Sequence, residues 1–184
     1  MSDTDQRDEP EARILILEDS AWDAELAQRL LTSSGLRFTA LIVDNKAAFV
    51  TQLTDFGADV IISDFSMPGF SGADALQIVQ ELRPDIPFIC WSGVLGDEAA
   101  VDLIKGGATD YVLKDRPARL PSAVSRAIAE SRQRSRLAQI EGQLGQAQRL
   151  ASLGHLRGAE QALSLTHQML ASVRGEATTS DPAP

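Results

Sequence analysis

The sequence predicts an α/β fold, a doubly wound five-stranded parallel sheet followed by an extended C-terminal α-helical arm. Two observations predict the sheet. Short apolar runs of strand length alternate with helix-like segments from residue 12 to about residue 115. Acidic, hydroxyl and basic residues stand at the C-terminal ends of those runs, where an open α/β sheet offers its ligand crevice. A third observation predicts the arm: beyond Arg116 strand signals stop, and Ala, Gln, Leu, Arg and Glu dominate.

Taken in order, Ile14-Leu15-Ile16-Leu17 is a continuous apolar run, as a strand covered on both faces requires. Ser20 caps the following helix, whose inner face carries Leu26, Leu30 and Leu31, and Ser33-Ser34-Gly35 ends it. Phe38 to Val43 is the second strand, and Lys46 to Thr54 a short helix ending near Gly57. Asp59 to Asp64 is the third strand, with an acid at its carboxyl end. Pro68, Gly69 and Gly72 punctuate the loop after it, and Ala73 to Leu82 is a helix stopped before Pro84. Pro87 to Ser92, Asp97 to Lys105 and Asp110 to Leu113 complete the alternation as strand, helix and strand, with Gly106-Gly107 ending the helix. From Pro121 to about Val173 the reading is helical, and Pro121 suits a first helical turn.

Composition narrows the function classes. Apolar residues are 43% of 184 but aromatics only 5%, so the core is aliphatic. The polar, acidic start of the chain has no apolar stretch, so residues 1–11 read as a disordered leader and not a signal peptide. No run reaches membrane-spanning length. Cys90, the single cysteine, excludes an internal disulfide and a cysteine-based zinc cluster, and its apolar neighbours mark it as a buried small hydrophobe. A cytoplasmic protein is expected. Residues 1–118 carry 9 Lys/Arg against 21 Asp/Glu, whereas residues 119–184 carry 8 against 5. So acidic a domain argues against phosphate-backbone binding, and no nucleic acid or membrane partner is expected.

Glu18, Asp19, Asp64, Ser92 and Lys114 all fall at strand ends, so the fold brings them to one rim. Like charges so close raise one another's pKa or bind a cation. An all-oxygen donor set selects a hard ion, here Mg²⁺. Beside such an ion Asp64 can attack phosphorus, with Lys114 and the Ser92 hydroxyl binding phosphoryl oxygens and backbone N–H groups near Phe65 and Gly93 assisting.

Four motifs carry a resemblance: Ile16-Leu17-Glu18-Asp19-Ser20; Asp64 to Gly72, which reads D-x-x-M-P-x-x-x-G; Trp91-Ser92-Gly93; and Gly107 to Lys114. In this order and spacing they resemble response-regulator receiver domains of two-component signalling, over about residues 12–130. The resemblance implies a flavodoxin-like sheet of order 2-1-3-4-5, with Asp64 as phosphoacceptor. It implies Mg²⁺ held by Asp19, by Glu18 mainly through water, by Asp64, and by the backbone carbonyl of Ser66. Ser92 and Lys114 would bind the phosphoryl group, and Ser92 and Tyr111 would act as the switch pair. The implied partner is a sensor histidine kinase, and the implied protein is a phosphoacceptor rather than an enzyme. One departure stands out: receivers usually follow the lysine with proline, whereas Lys114 is followed by Asp115-Arg116-Pro117, where a cis bond is not expected.

In the arm, residues 131–174, Leu137, Ile140, Leu144, Ala147 and Ala151 recur at spacings of three and four, as in a coiled-coil seam. Gly154 and Gly158 are candidate bend points, and residues 175–184 read as a disordered tail. Gln146 to Gly158 is similar to the first dimerisation helix of sensor histidine kinases. The histidine such kinases carry is missing near Ala162, and His167 lies too far on, so His155 and His167 read as ordinary helix residues. The arm is therefore expected to serve homodimerisation. Other readings stay open: a pseudo-receiver adaptor in which the arm does the work, a remnant of a hybrid kinase, an arm active in phosphotransfer through His155 or His167, and a phosphate-hydrolysing enzyme. The last generally wants a second acid two residues after its nucleophile, where this chain has Ser66.

Overall fold

The computed structural model describes residues 11–93 and 97–176. The elements alternate as expected: β1 (Ala12–Leu17), α1 (Ala21–Ser33), β2 (Phe38–Val43), α2 (Lys46–Asp55), β3 (Val60–Ser63), α3 (Gly72–Leu82), β4 (Phe88–Ser92), α4 (Asp97–Lys105), β5 (Asp110–Leu113) and α5 (Leu120–Glu176). A 3₁₀ turn at Pro117–Arg119, not anticipated from the sequence, joins β5 to α5. All strand pairs are parallel, in the order β2-β1-β3-β4-β5, the doubly wound order that the resemblance implied.

The pleat sends alternate residues of the central strands to opposite faces. Leu15, Leu17, Ile61, Phe88 and Cys90 pack against Phe49, Leu53, Leu76, Val79 and Leu103 of α2, α3 and α4. Ile14, Ile16, Ile62, Ile89 and Trp91 pack against Ala27 and Leu31 of α1 and against Leu120, Val124 and Ile128 of α5. The sheet is thus covered on both faces, which is why its inner strands read as unbroken apolar runs.

Helix starts follow local chemistry. Ser20, Asn45 and Ser71 each accept a backbone N–H of their helix's first turn, from Asp23, Ala48 and Asp74 respectively. At α3, Ser71 and Asp74 form a reciprocal capping box.

The fold divides into two compact units between Arg134 and Ser135. In the second unit Leu137, Ile140 and Leu144 are 53%, 60% and 59% exposed. α5 passes through the candidate bend points Gly154 and Gly158 as helix. It also includes Gly175 and Glu176, so the helix runs into the segment expected to be disordered. Glu11, assigned to the leader, is described and accepts a hydrogen bond from Thr39 Oγ1 at 2.8 Å. The rest of the leader and the tail beyond Glu176 lie outside the described residues. No described helix is long and apolar enough to cross a membrane.

Candidate functional site

Ladder hydrogen bonds continue past the strand ends and fix the rim. Glu18 N–H donates to the Val43 carbonyl at 2.9 Å, Asp64 N–H to that of Leu17 at 2.8 Å, and Lys114 N–H to that of Ser92 at 2.8 Å. The residue after each strand therefore has a fixed backbone, and its side chain projects from a rigid platform. Carboxylate oxygens of Glu18, Asp19 and Asp64 lie within 4.8 Å of one another. Glu18 and Asp64 are buried, whereas Asp19 is exposed to solvent.

Lys114 crosses this cluster. Its Nζ donates to Asp23 Oδ2 at 2.6 Å and to Glu18 Oε2 at 2.8 Å, and stands 3.3 Å from Asp64 Oδ2. It also lies 5.2 Å from the centroid of the Trp91 ring. Burial alone works against the ammonium charge, but hydrogen bonds to Asp23 and Glu18 outweigh it and hold the Lys114 pKa above its ordinary value. The Glu18 pKa is also raised: burial and the nearby Asp64 charge prevail over the contact with Lys114. Cys90, behind the site on β4, has its thiol pushed up to about 12 by burial and by the Asp64 charge.

Asp64 is held on its other side by the chain that follows. Phe65 N–H donates to Asp64 Oδ1 at 2.7 Å, and Gly72 N–H donates to the Phe65 carbonyl at 2.9 Å. A Cβ on Gly72 would stand 2.7 Å from the Asp64 carbonyl oxygen and 2.9 Å from Phe65 Cα. Only glycine admits this approach, which seats the start of α3 against the Asp64 backbone. The glycine eight residues after the aspartate thus has a packing cause. Gly69, at φ +74°, lets the intervening loop turn.

The rim therefore brings Glu18, Asp19, Asp64 and Lys114 together. Ser92 is buried at the end of β4. Ser66 is exposed on the loop after β3, and Tyr111 is half-buried on β5 against the α2–α4 core. No peptide bond among the described residues is cis, so the Lys114–Asp115 bond is trans. Two site residues escaped the sequence reading. Asp23 makes the shortest contact to Lys114, but an acid in a first helical turn reads as a helix-start residue. Trp91 reads as core; its Nε1 is buried without a hydrogen-bond partner.

The pattern that defines the response regulator receiver domain matches residues 14–125. The chain belongs to this family. Among curated relatives, the receiver is 24% identical over 115 residues to the chemotaxis protein CheY of Thermotoga maritima, covering 62% of this chain and 95% of that one. It is 35% identical over 120 residues to the two-component response regulator ORR3 of Oryza sativa subsp. indica, covering 64% and 88%. Solved structures show the same fold. The CheY-like receiver domain protein of Methanospirillum hungatei superposes with a TM-score of 0.60 at 21% identity, covering 68% of this chain and 99% of that one. The receiver domain of the Francisella response regulator 1452 gives 0.60 at 20%, covering 66% and 99%.

The receiver's donor set fits a hard divalent cation. Three carboxylates converge with no His or Cys among them, and one ammonium group cannot balance their charge. Such an ion would be held by Glu18, Asp19 and Asp64, consistent with the Mg²⁺ that receivers typically use.

Proposed function

We propose that this chain is a phosphorylation-dependent response regulator of a two-component phosphorelay, with Asp64 as phosphoacceptor and a sensor histidine kinase as donor. The observation that carries this reading is the convergence of Glu18, Asp19, Asp64 and Lys114 on one rim. In the transfer, an Asp64 carboxylate oxygen forms a bond to phosphorus as the phosphorus–nitrogen bond of the donor phosphohistidine breaks. The electron pair returns to the imidazole, which takes a proton from solvent. Bound Mg²⁺ supplies charge neutralisation between the carboxylates and the phosphoryl oxygens. Glu18, Asp19, Asp64 and the Ser66 carbonyl are its proposed ligands. Asp64 is oriented for attack by the Phe65 N–H on Oδ1, which leaves Oδ2 facing Lys114. Lys114 and the Ser92 hydroxyl receive phosphoryl oxygens, and Tyr111 follows Ser92 inward, reshaping the surface near α4 and β5.

Incubation with Mg²⁺ and acetyl phosphate is expected to add one phosphoryl mass, and Asp64→Ala to abolish the adduct. A wild-type mass that stays unchanged would overturn the reading.

A second part of the proposal concerns output. Leu137, Ile140 and Leu144 are exposed at spacings of three and four, which favours a homodimer formed through α5. Light scattering is expected to give a dimer mass that falls to monomer in Leu137→Asp/Leu144→Asp. An unchanged mass would remove the arm from dimerisation. Phosphorylation would then signal through protein contacts or a rearranged dimer.

A further inference from the structure

Lys114 has more acceptors than the phosphoacceptor reading requires. An ammonium group has three N–H bonds. Two donate hydrogen bonds, to Asp23 at 2.6 Å and to Glu18 at 2.8 Å, and Asp64 Oδ2 stands 3.3 Å from the nitrogen as an ion pair. A phosphoryl oxygen arriving at Asp64 therefore competes with three carboxylates for one ammonium group.

The geometry decides which contact yields. Glu18 is buried, belongs to the carboxylate cluster, and accepts a further hydrogen bond from Ser20 N–H at 3.2 Å. Asp64 is itself the acceptor of the phosphoryl group. Asp23 lies outside the carboxylate cluster, and its side chain is 20% exposed, so water can replace Lys114 there. It also sits in the first turn of α1, where the helix N-terminus favours a negative charge without a counter-ion. Ser20 Oγ accepts the Asp23 N–H at 3.3 Å, so the turn stays fixed while the side chain lets go.

We propose that Asp23 is a positioning residue that latches Lys114 toward α1 in the unphosphorylated receiver, and that phosphoryl arrival exchanges this contact for a phosphoryl oxygen. The exchange rests on the phosphoacceptor reading above; the latch does not. Asp23 thereby sets how readily the site accepts its anion, since its 2.6 Å bond holds Lys114 toward α1 in competition with the phosphoryl oxygen. The same step moves the ammonium relative to the Trp91 ring, which supplies a signal independent of phosphorylation.

The test uses the full chain carrying Trp22→Phe, which leaves Trp91 as the only tryptophan. Four proteins are compared: this parent, Asp23→Asn, Lys114→Gln and the double variant. In metal-free buffer, Asp23→Asn is expected to change Trp91 emission when Lys114 is present and to leave it unchanged in Lys114→Gln. With Mg²⁺, Asp23→Asn is expected to lower the half-saturating beryllofluoride concentration, followed by fluorine NMR, about five-fold. Equal emission changes in both Lys114 backgrounds would show that Asp23 acts through its field alone and would overturn the latch. Beryllofluoride binding unaltered by Asp23→Asn would overturn the exchange. A parent that takes up no beryllofluoride would instead sink the phosphoacceptor reading and the exchange with it, and the emission comparison would then decide the latch.

Discussion

At the carboxyl rim of the sheet, Glu18 and Asp64 are buried carboxylates within reach of Lys114. Beyond Arg134 the placement is reversed, with Leu137, Ile140 and Leu144 left more than half exposed. Buried acids and a row of exposed hydrocarbon are the informative departures from ordinary burial. The first fits the hard cation that the clustered carboxylates would hold, and the second is the face on which the proposed homodimer rests. They differ in what the fold has already supplied. At the rim the backbone is locked by strand ladders and by the seat of Gly72, whereas in the second unit Gly142 has open space around it.

The sharpest way to test that difference is one substitution made in both places. Gly72→Ala drives a methyl group into the Asp64–Phe65 backbone and is expected to destabilise the receiver by about 3 kcal/mol, read from the urea midpoint. Gly142→Ala meets no neighbour and is expected to stabilise α5 by about 1 kcal/mol, read from the helical circular-dichroism melt. Equal effects at the two positions would break the comparison.

Between these effects in size lies the response of the rim to its ion. At a hundred times its dissociation constant, Mg²⁺ is expected to stabilise the wild type by about 2.7 kcal/mol. In Asp64→Asn that gain should shrink toward zero, while the metal-free variant melts higher than metal-free wild type because one of the crowded charges is gone. Melting curves with Mg²⁺ and with a chelator check both statements.

The smallest expected effect belongs to the α3 cap. Ser71→Ala removes a capping side chain and is expected to cost about 1 kcal/mol. Hydrogen bonds from the Ser71 hydroxyl and N–H hold the Asp74 carboxyl below its ordinary pKa. A depressed carboxylate lends stability above its unfolded pKa and loses it as pH falls through the folded value. The acid side of the stability profile should therefore be shallower in Ser71→Ala, as melts between neutral and acid pH would show.

Much of the fold was legible because the central strands are covered on both faces and read as unbroken aliphatic runs. β1 begins two residues earlier than its apolar core, at Ala12, because pairing with Phe38 and Thr39 of β2 extends it through Arg13. That pairing is tertiary and leaves no local signal. The carboxylate cluster was legible because strand ends converge in this topology, so chain order translated into proximity. Asp23 was not, because its role depends on where Lys114 reaches from across the sheet. Nor was the isolation of the Trp91 N–H, since an aromatic residue in an apolar run signals burial and nothing about its polar edge.

Cys90 gives the receiver a built-in clock. It is the chain's single thiol, it is fully buried on β4, and its pKa is pushed up to about 12, so the reactive thiolate is scarce while the sheet is closed. An alkylating reagent must wait for β4 to be laid open. The speed of labelling therefore reports how often the innermost layer comes apart, and a ligand that braces the rim should slow that clock.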